Sequence, residues 1–348
     1  MNILIVTDPA GENPFFKELI HELEQYVDIS ITINLDEFWN PTKDYDIVHL
    51  QWPEELFLWK VPDDNQLTIY KECLDKWKKN AKIIWTVHNA SPHDYDNLTG
   101  HNMYSFLIER CDVILHLEKS SVGIIKELYR HTISNQTEHT IIPHGMFESY
   151  ENKVTRQQAR QYFGFREKDF VILIFGRVRK ESEKQLIFKI NKLTKIRNKK
   201  ILISNWTYNE VPRNLRRIRK LFFLLSGRYK VGQKFVKKNE IQYYFNAADI
   251  LLIPRVESLN SGILLLGFYF SKVVVGPGVG NIKDILEKTK NPIYNPDNEK
   301  SIINAIKEAM RLSQESRKGQ ENFEYAINEL SWKKIAPQYY NLYKSVIQ

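Results

Sequence analysis

Cysteine is scarce in this 348-residue chain, where Cys73 and Cys111 are the whole complement. Two thiols cannot build a disulfide framework or a zinc cage, which predicts a reducing compartment. Long apolar runs are missing too. The longest, Gly262 to Phe270, is about half of what a bilayer-spanning helix requires. The opening residues, Met1-Asn2-Ile3-Leu4-Ile5-Val6-Thr7-Asp8, have no basic segment ahead of the apolar ones, so no signal peptide is expected. The chain also lacks a Gly-rich Walker loop, a Gly-x-Ser-x-Gly elbow and a His-Glu-x-x-His pair. Gly276-Pro277-Gly278-Val279-Gly280 contains a proline and lacks the downstream glycine of a dinucleotide fingerprint. What is present is ordinary globular composition, 43% hydrophobic and 26% charged, at a length that suits two domains.

The second half has no histidine and little acid. Residues 1–150 hold 12 Lys+Arg against 24 Asp+Glu, whereas the remainder holds 38 against 18. Most of that excess lies in residues 153–238, with 25 basic and 5 acidic side chains. Such asymmetry points to an anionic partner for the second half: a nucleotide, a nucleic acid or an acidic membrane surface. A solvated Lys-rich surface would read the same way. All nine histidines fall between His21 and His144, so imidazole chemistry belongs to the first half.

Short, continuously apolar runs alternate with helical patterns, as expected for parallel strands buried on both faces. In the first half strands are predicted at 2–7, 28–34, 46–52, 82–88, 112–117 and 139–143. A second series follows at 170–175, 200–204, 229–236, 249–254, 272–276 and 292–294. Two successive doubly wound α/β domains result, with a break near 145–165. Ligands of open parallel sheets bind outside the carboxyl ends of the strands, so the residues just after each strand become the candidates.

Pro254-Arg255-Val256-Glu257-Ser258-Leu259-Asn260-Ser261-Gly262 leads into an apolar run. A helix starting there would aim its N–H groups and positive dipole end at a pyrophosphate; the segment also reads as an ordinary capped helix. Gly176-Arg177-Val178-Arg179-Lys180 puts three cations beside a glycine at a strand end, suited to diphosphate or simply to solvent. His88, ending Trp85-Thr86-Val87-His88-Asn89, would act as acid, base or hydroxyl partner, or else cap the next turn. His49, Glu54, Glu55, His93 and Asp94 cluster at neighbouring strand ends. Asp94-Tyr95-Asp96 has a metal-site spacing, but Asp44–Asp46 has it too and merely precedes a strand; no metal is expected. Arg213–Lys238 places Leu215, Ile218 and Phe222 on one helical stripe among cations, for packing on the sheet or touching anionic lipid.

Several segments resemble the GT-B glycosyltransferases, and family 4 in particular. Asn246-Ala247-Ala248-Asp249-Ile250-Leu251-Leu252-Ile253-Pro254 looks like the helix end and strand before the donor loop. Phe175-Gly176-Arg177-Val178-Arg179 is similar to the donor-phosphate loop, and Ile142-Pro143-His144-Gly145 to the inter-domain hinge. Thr86-Val87-His88 matches the strand end with the acceptor-side histidine, and Ser331-Trp332 through Tyr343 the last helix. Asn13–Phe16, His49–Pro53 and Ser258–Gly262 look like a bacterial polysaccharide-assembly branch. The two donor-loop glutamates that members often carry have Ser258 and Leu266 at the matching positions, with Glu257 beside the first. The family lysine after the phosphate loop appears as Ser182.

The resemblance implies an α/β GT-B fold, two doubly wound Rossmann-like domains facing across a cleft. Residues 1–150 would form the acceptor-side domain, with helix 331–348 crossing back to it, and 151–330 the donor domain. The implied activity is metal-independent, retaining transfer of a hexose from a UDP- or GDP-sugar to a lipid-linked saccharide in bacterial cell-surface polysaccharide synthesis. No other cofactor is implied. His88 and Arg179 would be catalytic. Gly176, Arg177, Arg179, Lys180, Lys184, Glu257, Ser258, Leu259, Asn260, Ser261 and Gly262 would hold the donor. Gly11, Trp52, Glu54, His88, Asn89, His93, Asp94 and His144 would line the acceptor side. The expected place is the cytoplasm, at the inner membrane face through contact with anionic lipid. A catalytically altered or inactive GT-B-like binding module is the alternative. A nucleic-acid binder is disfavoured, because no aromatic-basic interleaving stands out.

Overall fold

The computed structural model describes residues 1–9, 14–92, 97–178, 180–207, 216, 221–223, 225–232, 234–256, 259–315 and 317–348. The chain forms two compact units, Met1–Gly145 with Leu330–Gln348, and Met146–Glu329. Each holds a six-stranded sheet whose strand pairs are all parallel.

In the first unit the strands are β1 (Asn2–Val6), β2 (Ser30–Ile33), β3 (Ile47–Leu50), β4 (Lys82–Val87), β5 (Val113–His116) and β6 (Glu138–Ile141). Their order is β2-β1-β3-β4-β5-β6. Central β1 buries Ile3, Leu4 and Ile5 completely, which is why its sequence is continuously apolar rather than alternating. Helix Pro14–Leu23 buries Phe15, Phe16, Leu19, Ile20 and Leu23, the three-and-four spacing of one helical face. That face shares a core with Trp332, Ile335, Ala336, Tyr339, Leu342 and Tyr343 of helix Trp332–Ile347. Trp332 Nε1 also donates to Glu18 Oε2 at 2.7 Å. A Cβ on Gly145 would lie 2.4 Å from the Trp332 ring, so the residue after His144 must lack a side chain.

The second unit contains β7 (Phe170–Val178), β8 (Lys199–Trp206), β9 (Tyr229–Val231), β10 (Ile250–Leu252), β11 (Val273–Pro277) and β12 (Ile293–Tyr294). Their order is β12-β11-β10-β7-β8-β9. Asp249 anchors the entry to β10. Its carboxylate accepts from Val171 N at 2.6 Å, Arg156 Nη2 at 2.6 Å and Arg160 Nη2 at 2.8 Å. The two preceding alanines, Ala247 and Ala248, are fully buried, which explains the Ala-Ala-Asp sequence as small, small, anchor. Helix Gly262–Tyr269 buries Leu264 through Phe268, as a helix that is apolar all round should.

Three expectations need correcting. β7 runs on to Val178 rather than stopping at Phe175, because a register shift between Ile174 and Arg177 keeps it paired with β8. Edge strand β9 ends at Val231 instead of 236; a Cβ on the next residue, Gly232, would lie 2.2 Å from Ser204 O. In the basic 213–238 segment Phe223 is the buried ring, while Leu221 and Phe222 are half exposed. Leu215 and Ile218 lie outside the described residues. Among the described residues no helix is long and apolar enough to cross a membrane.

Candidate functional site

Strand order fixes where each sheet can bind. β1 lies between β2 and β3, and β7 between β8 and β10. The chain therefore reverses direction at these two strands, and the crevice beyond their carboxyl ends is the place for a ligand.

In the first unit that crevice is bounded by Thr7 and Asp8 after β1 and by Gln51–Glu55 after β3. Glu55 ties the two ends together, its Oε2 accepting from Thr7 Oγ1 at 2.6 Å and Asp8 N at 3.2 Å. Glu54 is fully buried in the short helix Pro53–Phe57. Its Oε1 accepts from Tyr104 OH at 2.9 Å, and Oε2 has no hydrogen-bond partner. Burial pushes its carboxyl up to about 7, with the Tyr104 hydrogen bond opposing the shift and the nearby Glu55 charge adding to it. Glu54 is thus about half protonated near neutral pH, unlike an ordinary carboxylate.

His88 follows β4 and lies stacked on Trp52, ring centroids 4.0 Å apart, with Phe15 edge-on at 5.7 Å. A chain of polar atoms leads inward from it. His88 Nε2 donates to Gln51 Oε1 at 3.0 Å, and Gln51 Nε2 donates to His49 Nε2 at 3.1 Å. With the amide so oriented, His49 Nδ1–H donates to Tyr343 OH at 2.8 Å. Thr86 Oγ1 lies 2.8 Å from His49 Nε2. Desolvation lowers His49 to about 3 and His144 to about 4. It lowers His88 well below the usual imidazole value, with His144 and His49 adding to the effect. These rings are neutral at pH 7 and serve as hydrogen-bond partners, not cations. His144 also packs on Phe15 at 4.6 Å.

So the structure gathers His88, Trp52, Glu54, Asn89 and His144 at the strand ends of one sheet. Gly11, His93 and Asp94 lie outside the described residues. The sequence reading missed Gln51 and Tyr343 as partners of the histidines. Gln51 was legible: it is two residues after His49, so both point to one side of the chain. Tyr343 was not, since nothing local links it to residue 49. Among the described residues no group of three or more His, Cys, Asp or Glu side chains is arranged to hold a metal ion.

In the second unit Gly176 has φ +89° and lies where β7 shifts register. An added Cβ would come 2.6 Å from Ile263 Cδ1. The basic strand end and the start of helix Gly262–Tyr269 are thereby in contact. Arg177 and Lys180 are exposed. Gly176 and Arg177 belong to the strand and not, as expected, to a loop after it. Lys184 differs from expectation as well. Its side chain is fully buried, with Nζ 3.9 Å from Glu181 Oε2 and 5.9 Å from the Trp206 ring centre. Arg179, Glu257 and Ser258 lie outside the described residues. Ser261 is the N-cap of helix Gly262–Tyr269 through its backbone alone, without the expected side-chain cap. Leu259 O accepts from Asn281 N at 3.0 Å, joining this loop, with Asn260, to the start of helix Gly280–Lys288. Sequence reading also passed over Arg255, directly after β10, whose Nη1 pairs with Glu183 Oε1.

Two parallel six-stranded sheets with interleaved helices are the GT-B fold of glycosyltransferases. Solved structures that share it include sucrose-phosphate synthase from Thermosynechococcus elongatus, with a TM-score of 0.70 and 15% identity over 99% of each chain. Anabaena HepE, solved with UDP and glucose, has a TM-score of 0.68 and 12% identity, covering 99% of this chain and 100% of that one. A glycosyltransferase from Rickettsia africae has a TM-score of 0.67 and 15% identity, covering 100% of this chain and 98% of that one. At such identities the likeness concerns the fold. No protein-family profile matches the sequence, and no curated protein matches it significantly.

Proposed function

We propose that the chain is a glycosyltransferase that moves a hexose from a UDP- or GDP-sugar to a saccharide acceptor, without a metal and with retention at the anomeric carbon. The acceptor in this reading is lipid-linked, and the pathway makes a bacterial cell-surface polysaccharide. The observation that carries the reading is the contact between Gly176 and Ile263. It puts a basic strand end against a helix start, and cations and backbone N–H groups together suit a leaving diphosphate. Full-length likeness to enzymes solved with UDP and UDP-glucose supports it.

In this reading Arg179 and Lys180 neutralise the diphosphate, the Asn260–Gly262 amides hold its oxygens, and neutral His88 positions a sugar or acceptor hydroxyl. Glu257 and Ser258 contact the donor. Trp52, Glu54, Asn89 and His144, with Gly11, His93 and Asp94, line the acceptor side. The net positive charge of residues 153–238 attracts the protein to anionic membrane. The test is an assay of nucleoside diphosphate release from a panel of UDP- and GDP-hexoses, with lipid-linked saccharide present. One donor should turn over and the rest not; no release from any donor contradicts the proposal.

Leu266 favours a second reading. It occupies the place of a family glutamate yet is buried in the core. A binding module with the same crevice would take up a nucleotide sugar and release nothing.

A further inference from the structure

We propose that Arg255, held in place by Glu183, is a diphosphate-binding cation of the second unit. The inference rests on the donor-binding reading above and assigns a residue that reading leaves out.

Arg255 stands two residues after Ile253, at the carboxyl end of β10. Its guanidinium reaches across to the β7 side of the crevice. Nη1 pairs with Glu183 Oε1, and Nη2 lies 3.5 Å from Arg177 O. Glu183 belongs to the first turn of helix Glu181–Leu193, which follows β7. One side chain therefore bridges the two strands between which the sheet reverses direction, the position where a ligand of this architecture binds.

Exposure separates the two members of the pair. The Glu183 side chain is 5% exposed and that of Arg255 22%, so the carboxylate serves as the inner support and the cation as the outer face. A guanidinium has five N–H donors in a planar fork, and the contacts with Glu183 and Arg177 O use one donor on each of Nη1 and Nη2. Phosphate oxygens bind such a fork bidentately. The backbone beneath is fixed, since Tyr294 OH donates to Ile253 O at 2.7 Å. Arg177 and Lys180 lie exposed on the facing strand end and helix start, which adds positive charge on the same side. By contrast, buried Lys184 does not offer its charge to solvent.

The test is calorimetric titration of the full-length chain with UDP, GDP, uridine and guanosine, at low and high salt. Arg255→Gln should weaken binding of the nucleoside diphosphate on the order of 10- to 100-fold, the range of one or two charge-assisted hydrogen bonds. Affinity for the matching nucleoside should stay as it was, and the salt dependence of diphosphate binding should flatten. The double variant Glu183→Gln/Arg255→Gln leaves no carboxylate buried alone. It should fold and show the same selective loss, which guards against a damaged first variant. Equal diphosphate affinity in wild type and the double variant overturns the inference and reduces the pair to a structural ion bridge. If the wild type binds neither UDP nor GDP, the donor-binding reading falls, and this inference with it.

Discussion

The two sheets share an architecture and differ in chemistry. At the strand ends of the first, burial keeps His49 and His88 neutral and holds Glu54 near half-protonation. At the strand ends of the second lie guanidinium and ammonium groups, among them Arg177, Lys180 and Arg255. Neutral imidazoles and a half-protonated carboxyl suit hydroxyl groups, and cations suit phosphate. One topology thus carries two chemically different sets of strand-end residues.

Breaking the anchor of the cationic sheet should have the largest effect. Asp249→Ala leaves the buried Arg160 guanidinium and Val171 N–H without their carboxylate. A loss of about 3–5 kcal/mol is expected in the second unit alone, measurable by hydrogen exchange in its strands during urea titration. A loss below about 1 kcal/mol would show that the charges are not integral to that unit. On the neutral side, His88→Ala should lower kcat about 100-fold, the scale of a hydroxyl-positioning or proton-handling group. Donor affinity should hardly change. An unchanged kcat separates the histidine from the chemistry.

Acid sharpens the contrast, because the second unit contains no histidine. Fully buried His49 and His116 are lowered to about 3, below their unfolded value. Their contribution is complete above about pH 6.5 and is lost as pH falls toward 3, about 2 kcal/mol each by pH 5. Glu54 has the opposite sign. Raised to about 7, it lowers stability as pH climbs from about 4.5 to 7 and restores about 2 kcal/mol on acidification to pH 5. Glu54→Gln should therefore make the acid loss of the first unit steeper by that amount. Urea titrations at pH 7 and pH 5 read this directly, and parallel losses in variant and wild type would refute the compensation. The smallest effect belongs to Tyr343→Phe, which removes the acceptor of His49 Nδ1–H. It should cost about 1 kcal/mol and leave donor affinity as it was.

Much of this was legible because buried parallel strands write themselves as apolar runs. Ile3-Leu4-Ile5 and Val273-Val274-Val275 need no context to be read. Pairing the strand ends with candidate residues then followed from the architecture alone, and Trp52, Glu54, His88 and Gly176 do lie at such ends. What escaped were partners set by distance in sequence. Tyr343 meets His49 only because the last helix packs in the first unit. Glu183 meets Arg255 across 72 positions. Lys184 was misread for a related reason: a helix position three residues past Glu181 turns inward once the helix lies on the sheet, and a sequence of alternating charges does not reveal that side.

In the proposed function the diphosphate end of a nucleotide sugar is held by the second unit, at the crevice between β7 and β10. Hydrogen exchange of the full-length chain with and without UDP tests it most directly. Slowed exchange is expected in residues 174–184, 254–264 and 278–283, with inorganic pyrophosphate reproducing part of that protection. Protection absent from all three segments, or confined to the first unit, would contradict it.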